Sequence, residues 1–298
     1  MEWQFEVVAG PFKFTEGPVW NGEVLLFTDI PNSRIMAYNP KTKKCAEYRT
    51  GTNCANGLTL DKHGHLYACE GTFNPVGTKF ENGPGRRIAR YEIDGTAIPI
   101  AEFFENKRFN SPNDVVVDTK GRIWFSDPRY GTDRSDMELD HESVFRADPQ
   151  PDGSYTVTRV TFDTTRPNGL IVTPDMKTLY VAQSDYGSTT IRQLRAYPIN
   201  DDGSLREPRI LHDFGPHRGI DGMRLDTEFN IVACAGWTQS GPGPMIYVFA
   251  PSGRVLETHP IASNPTNCAF GDADLHSLYV TAVDGNLYRA VTHRRGLK

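Results

Sequence analysis

The 298-residue sequence predicts an all-β fold, a six-bladed β-propeller that takes up residues 1–298 as one domain. Three observations predict it. A short pattern headed by an acid or an amide recurs six times: EGPVW from Glu16, NGLTL from Asn56, NDVVV from Asn113, NGLIV from Asn168, DGMRL from Asp221 and NCAFG from Asn267. The heads are spaced 40, 57, 55, 53 and 46 residues apart, close to the period of about 40–50 residues that propeller blades show. The 27 Gly and 21 Pro are spread along the chain, and no long segment carries helical apolar periodicity.

Taken in order, the first unit runs from EGPVW into a second apolar run, LLFTD, ending at Asp29. In the second unit LYACE ends at Glu70 and a Gly/Pro-rich stretch follows at 71–87, read either as a lid over the channel or as a long hairpin loop. The third unit shows all four strands: VVVD (115–118), RIWFSD (122–127), ESVFRAD (142–148) and YTVTRVTF (155–162), with turn signals DTKG and DPQPDGS between them. The fourth repeats the scheme with GLIVT, TLYVAQ, IRQLRAYPI and RILHDF. The second runs of the fifth and sixth units end at Ala235 and Ala282. From Asn267 onward there is room for about three strands. The segment EWQFEVV (2–8) alternates like a strand. It is therefore expected to complete the last blade as its outer strand, because an open ring would leave strand edges unpaired.

Composition narrows the function classes. The net charge is −5 with no basic stripe, which argues against nucleic acid as a partner. No apolar run reaches membrane-spanning length and the N-terminus has no basic, then apolar, leader pattern, so a cytoplasmic protein without membrane partners is expected, as a monomer or weak homo-oligomer. Five irregularly spaced Cys fit reduced thiols better than a disulfide framework. Neither a P-loop nor a G-x-S-x-G nucleophile elbow occurs.

In a propeller the first strand of each blade lines the central channel, so the six heads would form a ring of oxygen donors around the axis. Carboxylates and carboxamides suit hard cations, and ionised Glu16 and Asp221 together would neutralise one divalent ion. The expected cofactor is one divalent cation, Ca2+ ahead of Mg2+, Mn2+, Zn2+ or Fe2+. A second register, Asp29, Glu70, Asp127 and Gln183, ends the second strands and could grip a hydroxylated ligand. SDPRYG also brings Arg129 and Tyr130 towards the mouth.

These residues resemble the gluconolactonase, regucalcin (senescence marker protein) and luciferin-regenerating enzyme family, and look closest to its bacterial sugar lactonases. The segments that carry the resemblance are TEGPVW (15–20), RFNSPNDVVVDTKGRIWFSDPRYG (108–131), RPNGLIVTPDMKTLYVAQS (166–184) and GIDGMRLD (219–226). The resemblance implies a divalent metal held by Glu16, Asn168 and Asp221, with Asn113 as fourth ligand or substrate contact. It also implies hydrolysis of a small sugar lactone of the glucono-1,5-lactone kind. Some animal members place an Arg where Ser111 stands, so Arg108 or Asn110 is expected to serve instead, alongside Glu70, Asp127 and Gln183. The metal would polarise the lactone carbonyl, Asn113 would donate to the same oxygen, and Asp221 would activate water if one of its oxygens stays off the metal. Two rival readings stand beside this one: a phosphotriesterase or phosphofluoridate hydrolase like the more distant diisopropyl fluorophosphatase, and a non-catalytic cation-binding interaction propeller.

Overall fold

The computed structural model describes residues 2–71, 85–131, 133–185 and 191–297; most of the 71–87 stretch, residues 72–84, lies outside them. Six four-stranded antiparallel sheets stand around one axis. Blade 1 is Thr15–Trp20, Leu25–Asp29, Arg34–Asn39 and Lys44–Thr50; blade 2 is Leu58–Leu60, Leu66–Glu70, Arg87–Tyr91 and Ala97–Ala101. Blade 3 is Val115–Val117, Ile123–Asp127, Ser143–Pro149 and Tyr155–Arg159; blade 4 is Pro167–Val172, Thr178–Ser184, Arg192–Pro198 and Arg209–Asp213. Blade 5 is Ile220–Leu225, Ile231–Trp237, Ser240–Phe249 and Val255–Pro260. Blade 6 takes Pro265–Gly271, Ser277–Ala282 and Leu287–Val291 from the end of the chain, and Glu6–Ala9 as its outer strand. That N-terminal strand pairs antiparallel with Leu287–Val291, Glu6 opposite Arg289 and Val7 opposite Tyr288, as the alternation of EWQFEVV predicts.

The second strand of each blade is apolar on both faces because each face meets a different neighbour. In LLFTD, Leu25 and Phe27 pack with Ala269, Tyr279 and Leu287 of blade 6. Leu26, between them, packs with Leu58, Leu66 and Ala68 of blade 2. Four further apolar clusters fill the remaining seams, so the core is six wedges and not one centre. Outer strands such as Lys44–Thr50 are mostly exposed, with only Cys45 and Arg49 half-buried, as strands wetted on their outer edge should be. All five cysteines are free thiols, and no helix among the described residues is long and apolar enough to cross a membrane.

A polar clamp holds the closing blade to blade 5. Trp3 stacks on His259 at 3.9 Å between ring centroids and donates its backbone N–H to His259 Nδ1 at 3.1 Å. His259 Nε2 lies 3.0 Å from Glu257 Oε2, and Arg294 donates to Glu257 Oε1 at 3.0 Å and to Asp226 Oδ2 at 2.6 Å. Burial raises the Glu257 carboxyl, but the hydrogen bonds from Arg294 and His259 outweigh it and hold it down to about 2, against an ordinary 4.5. A carboxyl depressed in the fold stabilises fully above its unfolded value and loses that contribution as pH falls through its folded one. The melting temperature is therefore expected to drop between about pH 4.5 and 2, and Glu257→Gln to flatten that part of a Tm-against-pH series.

Candidate active site

The first strands place their polar heads by a shared irregularity. Pairing with the second strand slips between Glu16 and Val19, Pro167 and Leu170, Ile220 and Met223, and Pro265 and Asn267. A bulge at that point bends the strand and re-aims one side chain. In blades 2 and 3 the heads are tied to the second strand by Asn56 N–H to Cys69 O at 2.8 Å and Asn113 N–H to Ser126 O at 2.9 Å.

Glycine follows the head in four blades because the neighbouring first strand leaves no room for a side chain. A Cβ on Gly17 would stand 2.3 Å from Asn56 O, on Gly57 2.6 Å from Asn113 O, on Gly169 2.4 Å from Asp221 O, and on Gly222 2.0 Å from Asn267 Cγ. Gly57 N–H donates to Asn113 O at 2.8 Å across the same seam, and Thr266 Oγ1 donates to Thr15 O at 2.8 Å to join blade 6 to blade 1. The heads are thus held in one tight ring.

Within it three carboxylates lie close enough to disturb one another: Glu16, Asp221 and Asp114. Glu16 is buried, and burial first, then repulsion from Asp221 and Asp114, lifts its carboxyl well above the ordinary range. Burial also lifts Asp114, against the pull of Arg224, whose Nη1 stands 4.0 Å away. Asp221 is pushed up to about 6 by burial, although Arg218 and a hydrogen bond from Asn168 act to lower it. Arg218 Nη2 is 2.5 Å from Asp221 Oδ2. Asn168 is buried and donates Nδ2–H to Tyr130 Oη at 2.7 Å, which commits its amide nitrogen and leaves its carbonyl oxygen as a donor atom. Asn267 is occupied at both ends, accepting from Cys268 N–H at 2.9 Å and donating to Glu16 Oε2 at 3.2 Å, so it orients Glu16.

The donor set fits a hard divalent cation. Every candidate ligand atom is an oxygen, no three acids among the described residues gather closely enough to hold an ion without the carboxamides, and Asn56 Oδ1 and Asp114 Oδ2 are buried acceptors with no hydrogen-bond partner among the described residues. Acceptors without donors are what a cation relieves.

The SMP-30/Gluconolactonase/LRE-like region matches residues 14–284. The chain belongs to that family. Within it, the chain is 31% identical to a gluconolactonase of Zymomonas mobilis subsp. mobilis, over 93% of this chain and 78% of that one. It is 28% identical to the pentonolactonase XacC of Haloferax volcanii, over 94% and 85%. A gluconolactonase structure from Xanthomonas campestris superposes with a TM-score of 0.78 at 29% identity, covering 97% of this chain and 89% of that one.

The second register of this family member departs from the sequence reading. Asp127 is fully buried and accepts from Ser111 N–H at 2.7 Å and Asn110 N–H at 2.8 Å. Glu70 accepts from Tyr91 Oη and Arg87 Nε, both at 2.7 Å, and Gln183 Oε1 from Thr165 N–H at 3.1 Å. Asp29 does the same for Lys13 N–H at 3.1 Å. Asp29, Asp127 and Gln183 thus brace the loop that enters the first strand, and Glu70 braces the third strand of its own blade. Asn110 is buried, its Nδ2 donating to Asp127 O at 3.2 Å and His141 O at 3.0 Å. Arg108 is exposed on a small hairpin and ion-paired with Glu138, so it cannot stand in for the Arg that Ser111 replaces. Asn113 differs from these: half-buried in the ring, its side-chain amide has no hydrogen bond among the described residues. Tyr130 reaches the ring through Asn168, whereas buried Arg129 turns to Asp136 at 2.8 Å.

Asp127→Ala would leave two N–H groups just ahead of Asn113 without an acceptor, at about 1–3 kcal/mol each. A loss of about 2–5 kcal/mol in urea denaturation is expected, with a fall in kcat as the loop carrying Asn113 loosens.

Asp114 and Arg218 are functional candidates that the sequence reading passed over. Asp114 occupies the position that is Gly in four of the six repeats, a substitution visible in the alignment of the units. Arg218 stands three residues before its head, where the other units have Lys13, Asn53, Asn110, Thr165 and Asn264.

Proposed function

We propose that this chain is a divalent-cation-dependent lactonase that hydrolyses an aldonolactone of the glucono-1,5-lactone class to the aldonic acid. What supports the reading is that Glu16, Asn168 and Asp221 head three first strands with oxygen donors, the buried Glu16 carboxyl being raised by Asp221 and Asn168 hydrogen-bonding to Asp221, in a chain similar to gluconolactonases and a pentonolactonase. Glu16, Asn168 and Asp221 would hold the cation, with Asn113 beside them. When bound, the cation supplies Lewis-acid polarisation of the lactone carbonyl. Asn113 Nδ2–H is available to donate to that carbonyl oxygen, and the donation strengthens as the oxygen gains charge. Asn267 and Gly17 N–H hold Glu16 Oε2, at 3.2 and 2.5 Å, so that its carboxylate keeps one orientation. Asn168 is held by Tyr130 in the same way. Water adds to the carbonyl carbon, the ring C–O bond breaks, and the product carboxylic acid releases a proton at neutral pH.

A pH-indicator assay on glucono-1,5-lactone tests this. Turnover should exceed spontaneous hydrolysis, vanish after chelation and return with one of the add-back ions, Ca2+ being the first choice. Paraoxon run in parallel should give no product. Chelation without effect, or hydrolysis of paraoxon alone, overturns the reading.

A further inference from the structure

Arg218 is buried with a carboxylate on one side and two backbone carbonyls on the other. Its Nη1 donates to Gly236 O and to Pro265 O, both at 3.0 Å, and its Nη2 meets Asp221 Oδ2 at 2.5 Å. Gly236 N–H returns a bond to Arg218 O at 3.1 Å. The guanidinium is therefore anchored by blades 5 and 6 independently of the carboxylate it touches. A planar fork held this way fixes both the position and the direction of the N–H groups it turns to Asp221.

We propose that Arg218 is a positioning residue that occupies one oxygen of Asp221 and thereby sets how tightly the channel holds its divalent cation. The proposal rests on the cation reading above. With Oδ2 on the guanidinium, Oδ1 is the Asp221 oxygen better placed for a cation. On this proposal Asp221 serves as a one-oxygen ligand in preference to the role of base expected from the sequence. The guanidinium is also a fixed positive charge beside the carboxylate that a divalent ion must share. Arg224 adds a second, near Asp114. Two fixed cations in a buried ring oppose entry of a third. The arrangement holds affinity below what three carboxylates would otherwise give, and the repeat position of Arg218 makes the effect a property of blade 5 alone.

Calorimetric Ca2+ and Mn2+ titrations of the chelated full chain test it, with kcat and KM on glucono-1,5-lactone measured beside them. Arg218→Gln removes the charge and keeps a donor. Its dissociation constant should fall about tenfold or more, while kcat falls because Asp221 is no longer held. A residue that merely supports the fold would not tighten the ion when removed, so a constant that is unchanged or higher in a folded Arg218→Gln protein overturns the proposal. Should that variant not fold, Arg218→Lys carries the test. It keeps the charge and loses the fork, so kcat should drop about tenfold or more with the dissociation constant within about threefold of wild type. A constant that rises in step with the lost turnover overturns it. A wild-type chain that binds neither ion removes the cation reading itself, a result distinct from either variant outcome.

Discussion

Asp221→Ala is expected to lower lactone turnover about a thousandfold or more while the all-β circular dichroism spectrum stays intact. The two halves of that result have different causes. Turnover falls because, on the proposed reading, Asp221 contributes an ionisable oxygen to a ring in which Glu16 is the other ligand acid. The fold survives because the strand Ile220–Leu225 is held by its pairing with Ile231–Trp237 and by Ile220, Met223 and Leu225 in the apolar seam. Glu16→Gln separates the two effects further. In chelator the wild-type ring confines acids that raise one another, and deleting one charge relieves that repulsion. The variant should melt higher than wild type without metal and gain less from added Ca2+, yet be inactive. A chelated Glu16→Gln protein that melts lower than wild type would show that the acids are not in mutual conflict.

Gly169→Ala should be strongly damaging although it adds a single methyl. The added carbon would stand 2.4 Å from Asp221 O and 2.9 Å from Gly222 Cα. Both are backbone atoms of the adjacent first strand and cannot rotate away. Blades 4 and 5 must part at the level where Asn168 and Asp221 have to meet, so a loss of about 3 kcal/mol or more in denaturant unfolding is expected. Cation affinity measured on the folded fraction should fall with it. Gly95→Ala is the control, since its Cβ would meet nothing within 4 Å; its φ of +94° confines the cost to local strain. Equal effects at the two sites would mean that the seam between blades 4 and 5 accommodates the added methyl, since Gly169 has no left-handed φ to strain.

The blades were legible because the physics that builds them is periodic. A polar head and a two-faced apolar second strand recur in every unit, with a bulge beside the head in four of them, and each leaves a mark in residue type. The closing strand was legible from alternation in EWQFEVV together with a last unit short of one strand. The second register is partnered within the protein for a physical reason. Alternation places Asp29, Glu70, Asp127 and Gln183 at the channel end of their strands, but backbone N–H groups of the entering loop claim oxygens of Asp29, Asp127 and Gln183, and Tyr91 and Arg87 claim those of Glu70. Residue type does not reveal which amides lack a partner. Arg108 failed because a two-residue hairpin, Phe103–Phe104 with Lys107–Arg108, carries it to the surface. Asp114 and Arg218 had signals, each breaking the pattern at a fixed offset from a head, but a departure from a repeat becomes chemical only when the neighbouring blade is seen.

The pairing of Glu6–Ala9 with Leu287–Val291 has a consequence for how the molecule is made. On the ribosome the first strand emerges with its partner about 280 residues, and therefore tens of seconds at about 5–20 residues per second, behind it. Glu16 is likewise made long before Asp221, so the nascent chain carries an unpaired edge and an unmatched acid until blade 6 appears. Ribosome-bound chains stopped before residue 287 should be cleaved readily by protease near Trp3, and full-length chains should resist. The ring that shapes the site is thus also a timer on its assembly: neither the fold nor the chemistry can begin until the last blade arrives.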